Sequence, residues 1–506
     1  MISTITSLPI SRTIFLFVLI NFSFLPIHSQ DYLQFGTTIV GTTAEERNGT
    51  SIATNALGNT LVTGSPSFDN DGGTTSDFGQ ARVFSFNGTD WNQIGQSLVG
   101  ASAQDFCGNA VSMNSSGNIV AVGCSPSNTN GTASGKTVLY SYNGSVWEQM
   151  GNEIVGAEAG DLCGTSVAMD TSGNVVAISS MAGTVPNNNP GSVRVFSWDG
   201  TAWVQRGNTL VAMTSNSEFG KSIAFSADGN TLVVGIPRGS TNSVGVVQVY
   251  TYNGTEWIQK GQQLLGVLTL ENMGTSVASA ADGNTIAMGS PSFFGSIPGY
   301  VRVYEYLGNA WQLKGDIITG EANGDRAGTS VSLSEDGTIV AVGAPNNAGT
   351  LTNTGHTRVY EFNNGNWEQL GIDLDGENTG DEFGFSVALN AAGDRVFASA
   401  PFENSNGSES GAVRSFAYNG ILEISNVSKE TISFFPNPTD GIITIQLPKA
   451  YSKIKMTITN ALGQIVSEEN YASAKTLEVA LNGTAGIYFV TLATPNLTDT
   501  FKLVKK

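Results

Sequence analysis

Acidic residues recur at one position of a repeating unit in this chain. Each stands three residues before a glycine that opens an apolar segment, except that one of them is displaced by a single residue. A circular arrangement of the units would place the carboxylates in a ring, which could bind a cation or a polyol. The alternative is local, with each carboxylate capping the amides of its own glycine turn. The seven residues are Glu46, Asp105, Asp161, Glu218, Glu271, Asp325 and Asp381.

A second acidic group lies in one loop of the first unit. Asp69, Asp71 and Asp77 occupy relative positions one, three and nine around a glycine turn, a spacing that resembles a short calcium loop. A solvated surface loop is the other interpretation. Calcium is the one metal or cofactor that we consider, and it would bind through these three residues.

Histidine limits the catalytic options. The chain has two histidines, and His28 falls in an expected leader segment, so a Ser-His-Asp or Cys-His arrangement would have to use His356. His356 occupies a position that varies between units. Two carboxylates can hydrolyse a glycosidic bond, but nearly every candidate acid repeats in the neighbouring units. We therefore name no catalytic residue and favour a function other than catalysis.

An aromatic phrase sets the period of the repeat. Trp-x-x-x-Gly, usually with glutamine third, recurs every 54 or 56 residues at Trp91, Trp147, Trp203, Trp257, Trp311 and Trp367. Short Val-, Ile- and Tyr-rich segments bounded by Gly, Asn and Asp fill each interval, which indicates antiparallel strands. Asn-Gly pairs such as that at Asn87 predict tight hairpins before the Trp strand. Four strands in each of seven units predict an all-β, seven-bladed β-propeller.

The ends of the repeat region do not match the unit. The seventh Val-rich strand, which ends at Gly420, has no Trp strand after it, whereas Tyr32-Leu33-Gln34 near the start resembles one with Tyr32 in the Trp position. We predict that this N-terminal strand completes the last blade. The propeller is then closed over residues 30–420, and no sheet edge is left open at the junction.

The first 29 residues have the layout of a secretory signal peptide. Arg12 precedes the apolar run 14–25, and a short exit follows with Ser29 as its small residue. An uncleaved anchor is the alternative, although the run is shorter than the roughly 20 apolar residues that a bilayer requires. We expect a mature chain without a transmembrane segment.

Three cysteines occur in the chain. Cys107 and Cys163 stand at equivalent positions of neighbouring units, and Cys124 ends a second strand. An oxidising compartment would permit a Cys107–Cys163 disulfide. Because three is an odd number and the positions are apolar in other units, we favour small core residues.

Charge narrows the range of partners. The propeller region holds 14 of the 23 basic residues and 35 of the 42 acidic ones, so its net charge is about −21. Such a field repels nucleic acid and anionic membranes. Cations, neutral glycans and basic protein surfaces remain as partners.

A different segment follows a linker at 421–431. Period-two strands over residues 432–506 predict a small β-sandwich. Its motifs are Phe435-Pro436-Asn437-Pro438, the Gly441 turn, Ala461-Leu462-Gly463-Gln464, Gly486-Ile487-Tyr488 and the final Lys505-Lys506.

These motifs resemble the type A C-terminal sorting domain, or por secretion tail, of the Bacteroidetes type IX secretion system. The resemblance implies an Ig-like sandwich that the outer-membrane export machinery reads and removes. The passenger is then released or attached to the cell surface. An ordinary Ig-like binding domain is the alternative.

The propeller units are similar to FG-GAP-type repeats. The similarity lies in Phe219-Gly220 and Phe383-Gly384 and in Gly-x-Pro after the second strand, as at Pro237. Integrin-like members carry Asp-rich calcium loops between the first two strands. Here those turns, such as residues 55–59, lack the necessary carboxylates, so the resemblance does not imply calcium in every blade.

These features together predict a secreted or cell-surface binding or adhesion protein. Its partners would be the type IX machinery and a carbohydrate or surface ligand on the loop-rich acidic face. The alternative is a secreted carbohydrate-active enzyme that uses carboxylates on that face.

Overall fold

The computed structural model describes most of the chain beyond the predicted leader. Residues 1–29, the linker 421–431 and Asp71 lie outside the described residues. The described ranges are 31–70, 76–181, 191–212, 214, 217–292, 297–348, 352–419, 433–435, 439–460, 464–481, 483–494 and 497–506.

Within the described part of the chain, residues 32–418 form seven antiparallel sheets, which we number as blades 1 to 7. Each blade has an inner, a second and a third strand and an outer strand in two short pieces. The inner strands are Ser51–Thr54, Cys107–Met113, Cys163–Met169, Ile223–Phe225, Ser276–Ser279, Ser330–Leu333 and Val387–Leu389. The second strands are Thr60–Ser65, Ile119–Cys124, Val175–Ser180, Thr231–Ile236, Thr285–Ser290, Ile339–Ala344 and Arg395–Ala400.

The remaining strands complete each blade towards its outer edge. The third strands are Gln80–Phe86, Lys136–Tyr142, Ser192–Trp198, Val246–Tyr252, Tyr300–Leu307, His356–Asn363 and Ala412–Tyr418. The first outer pieces are Trp91–Gln93, Trp147–Gln149, Trp203–Gln205, Trp257–Gln259, Ala310–Leu313, Asn366–Gln369 and, in blade 7, Tyr32–Gln34. The second outer pieces are Leu98–Val99, Ile154–Val155, Leu210–Val211, Leu264–Leu265, Ile318–Thr319, Leu374–Asp375 and Ile39–Val40. A 3-10 turn spans Thr241–Ser243.

The seven-bladed propeller is confirmed, with one refinement to its outer strand. We predicted four strands in each unit, and the structure divides the fourth at a glycine. In blade 1 this is Gly95, whose φ of 68° lies in the left-handed region. A Cβ at Gly95 would lie 2.6 Å from the Trp147 ring of the next blade, so both backbone and neighbour require glycine.

Blade 7 joins the two ends of the propeller, as predicted. Tyr32 pairs with Tyr418 and Val40 pairs with Ala412, both in antiparallel register. Beyond the strand, the Asp31 amide donates to Asn419 Oδ1 at 2.7 Å, and the Asn419 amide donates back to the Asp31 carbonyl at 2.9 Å. The closing strand thus comes from the N-terminal end of the propeller.

Tryptophans hold adjacent blades together. The indole Nε1 of Trp147, Trp203, Trp257, Trp311 and Trp367 donates to a backbone carbonyl of the preceding blade at 2.7–2.9 Å. In blade 1 the link is indirect, because Trp91 donates to the Ser415 hydroxyl, which donates to the Phe35 carbonyl. The phrase in the sequence therefore marks contacts between blades as well as strands within them.

A closed circle of backbone hydrogen bonds surrounds the propeller axis. One residue of each inner turn donates its amide to the carbonyl of the equivalent residue in the next blade, at 2.8–3.0 Å. The circle runs through Ala56, Ser115, Thr171, Ala227, Ala281, Glu335 and Ala391, which donates to Ala56. All seven blades are thus connected independently of their side chains.

Two expectations about the cysteines were wrong: Cys107 and Cys124 are not the unpaired core residues that we favoured, and the disulfide is not the Cys107–Cys163 pair that we considered. Cys107 is bonded to Cys124, its neighbour across the strands of blade 2, whereas Cys163 is free and buried. Equivalent residues of two blades are separated by a blade repeat, so Cys107 and Cys163 are not cross-strand neighbours. In blade 3 the partner position holds Ser180, which leaves Cys163 unpaired.

The predicted Asn-Gly hairpins are also built differently. Asn87 does not adopt a left-handed conformation; its Oδ1 instead accepts from the amides of Thr89 and Asp90, which closes a longer turn. Left-handed residue pairs occur at Gly308-Asn309 and Asn364-Gly365. The asparagine acts here through its side chain.

The tail is all-β. Its described strands are Ser433–Phe435, Ile442–Asn460, Ile465–Ala480, Gly486–Thr494 and Leu497–Lys505. The 19-residue second strand pairs along its length with the third, while its first and last parts pair with the first and fourth strands. One core includes Ile445, Met456 and Val490. Among the described residues, no helix is long and apolar enough to cross a membrane.

Candidate functional site

The recurrent carboxylates lie in the segments that connect the outer strand of one blade to the inner strand of the next. We call these the handover segments. Glu46 Oε2 accepts from the amides of Thr42 and Thr43, both at 2.9 Å, and its side chain is fully buried. Asp161 repeats this arrangement with the amides of Ala157 and Glu158. The same capping by one or two amides is present at Asp105, Glu271, Asp325 and Asp381. These carboxylates cap the turn before them, and not the glycine turn after them that we considered.

Several of these acids also pair with a base from the third strand. Arg82 lies 3.1 Å from Glu46, Lys136 lies 3.0 Å from Asp105, and Arg302 pairs with Glu271. Burial opposes ionisation of Glu271, but hydrogen bonds from the Leu268 amide and Arg302 hold its pKa below the usual value.

Two of the other four acids differ from these pairs. Burial raises the pKa of Asp381, and hydrogen bonds from Asn378 oppose that rise. Glu218 departs from the pattern, because its side chain is 25% exposed and pairs with exposed Arg238. A ligand role for the set stays a prediction, and the contacts described above are all internal to the protein.

A cavity of about 160 Å³ lies on the axis, lined by all seven blades. It is at the end where the inner strands finish, beside the circle of backbone hydrogen bonds. Its polar side chains are largely used by their own turns: Asn55 Oδ1 accepts from the Thr60 amide, and Asp170 Oδ1 accepts from the Val175 amide. None of the seven predicted ring acids is among the described residues that line it.

The predicted calcium loop is partly described. Asp69 Oδ1 accepts from the Asp77 amide at 2.6 Å, which closes the loop. Partial burial, followed by the nearby Asp69 carboxylate, raises the pKa of Asp77. Asp71 lies outside the described residues, so calcium binding stays a prediction.

A polar pocket of about 480 Å³ opens beside this loop, where blades 7, 1 and 2 meet. Arg47 and Glu409 form an exposed ion pair across it at 2.7 Å, which links blade 7 to the first handover segment. We call it the closure pocket, and it is lined by Glu45, Arg47, Ser67, Asp77, Phe106 and Glu409. Five of the six, all but Ser67, have left-handed backbone conformations.

Sequence reasoning identified only Asp77 in this pocket. Glu45, Arg47 and Phe106 occupy repeated handover positions, so their types are visible in the sequence but their convergence is not. Their convergence depends on how the loop between the second and third strands of one blade reaches the segment that leads into the inner strand of the next. The one sequence signal that could have pointed to the pocket is that the residue types at these positions vary between units.

A further cluster surrounds the histidine of blade 6. His356 is 3% exposed, and its Nδ1 lies 3.7 Å from Asp373 Oδ2 and 3.9 Å from Glu321 Oε2. Arg358 binds Asp373 through two hydrogen bonds of 2.7–2.8 Å and also pairs with Glu321. Burial, and then the charge of Arg358, lowers the pKa of His356. A neutral imidazole can accept a proton or a cation at one nitrogen.

Comparison with known proteins concerns the tail most directly. Residues 433–506 match the family described as the secretion system C-terminal sorting domain. The chain carries a type IX sorting domain. This domain directs the protein through type IX secretion to the cell surface or the extracellular space, as predicted from the motifs of the tail. It also implies contact with the type IX machinery.

Two further comparisons concern the whole chain. No curated protein matches the chain. Among solved structures, a Bacteroides uniformis protein to which 6-phosphogluconolactonase activity is ascribed aligns with a TM-score of 0.48 and 10% identity. The alignment covers 83% of this chain and 99% of that one. Similarity at this level supports no argument about activity.

Proposed function

We propose that this is a secreted or surface-attached binding or adhesion protein whose propeller binds carbohydrate at the closure pocket. The observation that carries the proposal is the composition of that pocket on a domain exported to the cell surface. It combines an exposed guanidinium, three carboxylates and the ring of Phe106 in about 480 Å³. A pocket with a few convergent polar groups is the usual form of a small-ligand site.

The chemistry of the pocket suits neighbouring hydroxyl groups. Carboxylates accept hydrogen bonds from hydroxyls, and the Arg47 guanidinium donates several in one plane. The half-buried ring of Phe106 offers an apolar surface on which a sugar face can pack. A neutral glycan also avoids the repulsion that the acidic propeller imposes on anions.

The backbone fixes these groups before a ligand arrives. Arg47 donates its amide to the Glu409 carbonyl at 3.0 Å, and Phe106 donates its amide to the Asp77 carbonyl at 3.0 Å. Left-handed residues held in this manner lose little further freedom on binding. Preorganisation therefore supports recognition at this junction.

A carbohydrate-active enzyme is the second candidate, and one observation favours it. Burial and Asp69 raise the pKa of Asp77, as a general acid requires, and Glu45 and Glu409 line the same pocket. In this reading Asp77 would protonate the leaving oxygen and a second carboxylate would act as base or nucleophile.

Glycan-array binding by the untagged mature chain, followed by calorimetry on the best ligand, tests the proposal. We expect Arg47→Ala to weaken binding at least tenfold, whereas Arg238→Ala, in another exposed ion pair with Glu218, leaves it unchanged. Equal binding by both variants would reject the pocket. Release of reducing ends that disappears in Asp77→Asn would establish the enzyme instead.

A further inference from the structure

Blade 6 brings three metal-binding side chains together outside the closure pocket. Glu321, His356 and Asp373 each offer one ligand atom, and the three atoms lie within 4.8 Å of one another. His356 begins the third strand, Asp373 lies between the two pieces of the outer strand, and Glu321 follows the outer strand of blade 5. The cluster thus spans a boundary between two blades.

The imidazole is the informative member of this cluster. His356 Nδ1 is buried and has no hydrogen-bond partner among the described residues. A buried polar atom normally has a partner, and its absence calls for an explanation such as a bound ion. The atom faces two carboxylates at 3.7 and 3.9 Å, distances too long for hydrogen bonds.

Blade 2 shows how the chain itself can place a cation at this position. Lys136 occupies the place of His356 at the start of the third strand, and its Nζ lies 3.0 Å from Asp105 and 3.7 Å from Glu153. Glu153 and Asp373 both stand six residues after the Trp of their blade. The blade 2 site therefore contains a cation supplied by the chain, whereas blade 6 has an imidazole there.

Blades 2 and 6 also differ in the charged residues around this position. Blade 6 has Glu321 and Asp375 where blade 2 has Ala101 and Val155, so it carries two additional carboxylates. Arg358, which replaces Val138, supplies one positive charge in place of that of Lys136. Blade 6 therefore has two more carboxylates than blade 2 for the same number of Lys and Arg side chains.

We propose that blade 6 binds one divalent transition-metal ion, of which zinc is the best match, through His356 Nδ1, Asp373 Oδ2 and Glu321 Oε2. Zinc binds imidazole nitrogen and carboxylate oxygen at roughly 2.0–2.2 Å, which places tetrahedral ligands about 3.3 Å apart. The two separations from the His356 nitrogen need to close by about half an ångström, and the two carboxylates, which lie within 4.8 Å of one another, must also move together. Calcium and magnesium prefer all-oxygen sites, so the imidazole selects against them.

Arg358 is the competitor for this site. It pairs with both carboxylates and holds them together in the metal-free structure. Binding of the metal displaces its Nη2 from Asp373 Oδ2, while its Nε remains close to Asp373 Oδ1 at 2.8 Å. Removal of Arg358 should therefore favour the metal, which a purely structural ion pair would not predict.

The test uses the untagged mature chain, stripped of metal and titrated with zinc by calorimetry and with cobalt by visible absorption. We expect one equivalent of metal and a cobalt spectrum typical of nitrogen and oxygen ligands. Each variant borrows a residue from an equivalent position of another blade. His356→Lys should abolish binding, Glu321→Ala should weaken it at least tenfold, and Arg358→Gln should tighten it at least tenfold. Glu153→Gln, at the matching position of blade 2, is the control and should bind as the wild type does.

Failure of the wild type to bind either metal would overturn the proposal, as would unchanged affinity in both His356→Lys and Glu321→Ala. Glu321 is 47% exposed, so its substitution tests the site even where His356→Lys does not fold. The outcome is independent of glycan binding at the closure pocket.

Discussion

The indole Nε1 of Trp257 donates a hydrogen bond to the backbone carbonyl of Arg206, one blade earlier, at 2.9 Å. The Arg206 side chain continues to the next blade, where its guanidinium donates to the Gly229 carbonyl at 3.0 Å. One residue thus accepts from the outer strand of blade 4 and donates to its inner turn. This blade boundary is therefore stabilised at two levels.

Trp257→Phe should separate the hydrogen bond from the packing. The ring contact is largely retained, whereas the Arg206 carbonyl loses its donor, which costs about 1–2 kcal/mol. Trp257→Ala should cost about 3–5 kcal/mol, because the buried ring is lost as well. Urea denaturation followed by far-UV circular dichroism measures both. Trp198→Phe is the control, since other blades carry Phe or Tyr there, and a loss equal to that of Trp257→Phe would contradict the assignment.

Tyr32→Phe should weaken closure of the ring. The Tyr32 hydroxyl donates to the Gly393 carbonyl at 2.6 Å, a role that Lys314 performs for Gly337 from the preceding blade. Leu370, which stands at the lysine position before blade 7, has no donor in its side chain. We expect a loss of about 1–3 kcal/mol because a buried carbonyl is left unsatisfied. Thermal unfolding of Tyr32→Phe beside Tyr252→Phe, whose hydroxyl bond is exposed, checks this; equal effects would refute it.

Glu271 should contribute to stability in a defined pH range. Its pKa is lowered in the folded protein, so its contribution is complete above the unfolded value of about 4.5 and is lost as the pH falls through the folded value. Urea midpoints measured from pH 7 to pH 3 should therefore fall less steeply below about pH 5 in Glu271→Gln than in the wild type.

The same substitution leaves Arg302 buried without its partner, so Glu271→Gln should also be less stable at neutral pH, by about 3–5 kcal/mol. The exposed Glu148→Gln is the control and should follow the wild type. If the stability of the wild type and of Glu271→Gln depended on pH in the same way, the role assigned to the Glu271 carboxylate would be wrong.

The cysteines should give a simple thiol count. Without reductant, we expect one reactive thiol after denaturation and none in the native state, because Cys163 is buried and burial raises the pKa of its thiol. Mapping of a non-reduced digest should recover Cys107 joined to Cys124. Serine at both positions should cost roughly 3 kcal/mol, as expected for a loop of this length. A peptide joining Cys107 to Cys163 would contradict the structure.

The axial circle of hydrogen bonds should be visible in hydrogen exchange. We expect the seven donated amides, including those of Ala56 and Ala391, to exchange slowly and at similar rates, because opening one requires adjacent blades to separate. The amide of exposed Gly88 in the blade 1 hairpin is the comparison. Fast exchange at Ala391 alone, whose amide donates from blade 7 to blade 1, would show that the ring opens where its ends meet.

Repetition made the architecture readable from the sequence. Seven copies of each strand averaged out local ambiguity, and the missing seventh Trp phrase identified Tyr32–Gln34 as the closing strand. The partners of repeated side chains could not be read in the same way. Arg302 and Glu271 are separated by 31 residues and a blade boundary, so their pairing follows from packing alone.

The sequence is also ambiguous where one residue type can serve in two different local structures. Asn87 followed by glycine fits a two-residue hairpin, yet its side chain closes a longer turn. Cys107 and Cys163 match in sequence position, but the disulfide joins cross-strand neighbours. The closure pocket escaped prediction because its residues belong to three blades and converge only after the ring is closed.

The paired ends at Asp31 and Asn419 have a consequence for engineering. Because these residues exchange two hydrogen bonds, the propeller can be rejoined there by a short peptide and opened between the third and outer strands of any other blade. The native chain and six such circular permutants would then share one fold and differ only in which blade is assembled from both termini. The order in which blades emerge from the ribosome or the export channel becomes a variable that can be set independently of structure.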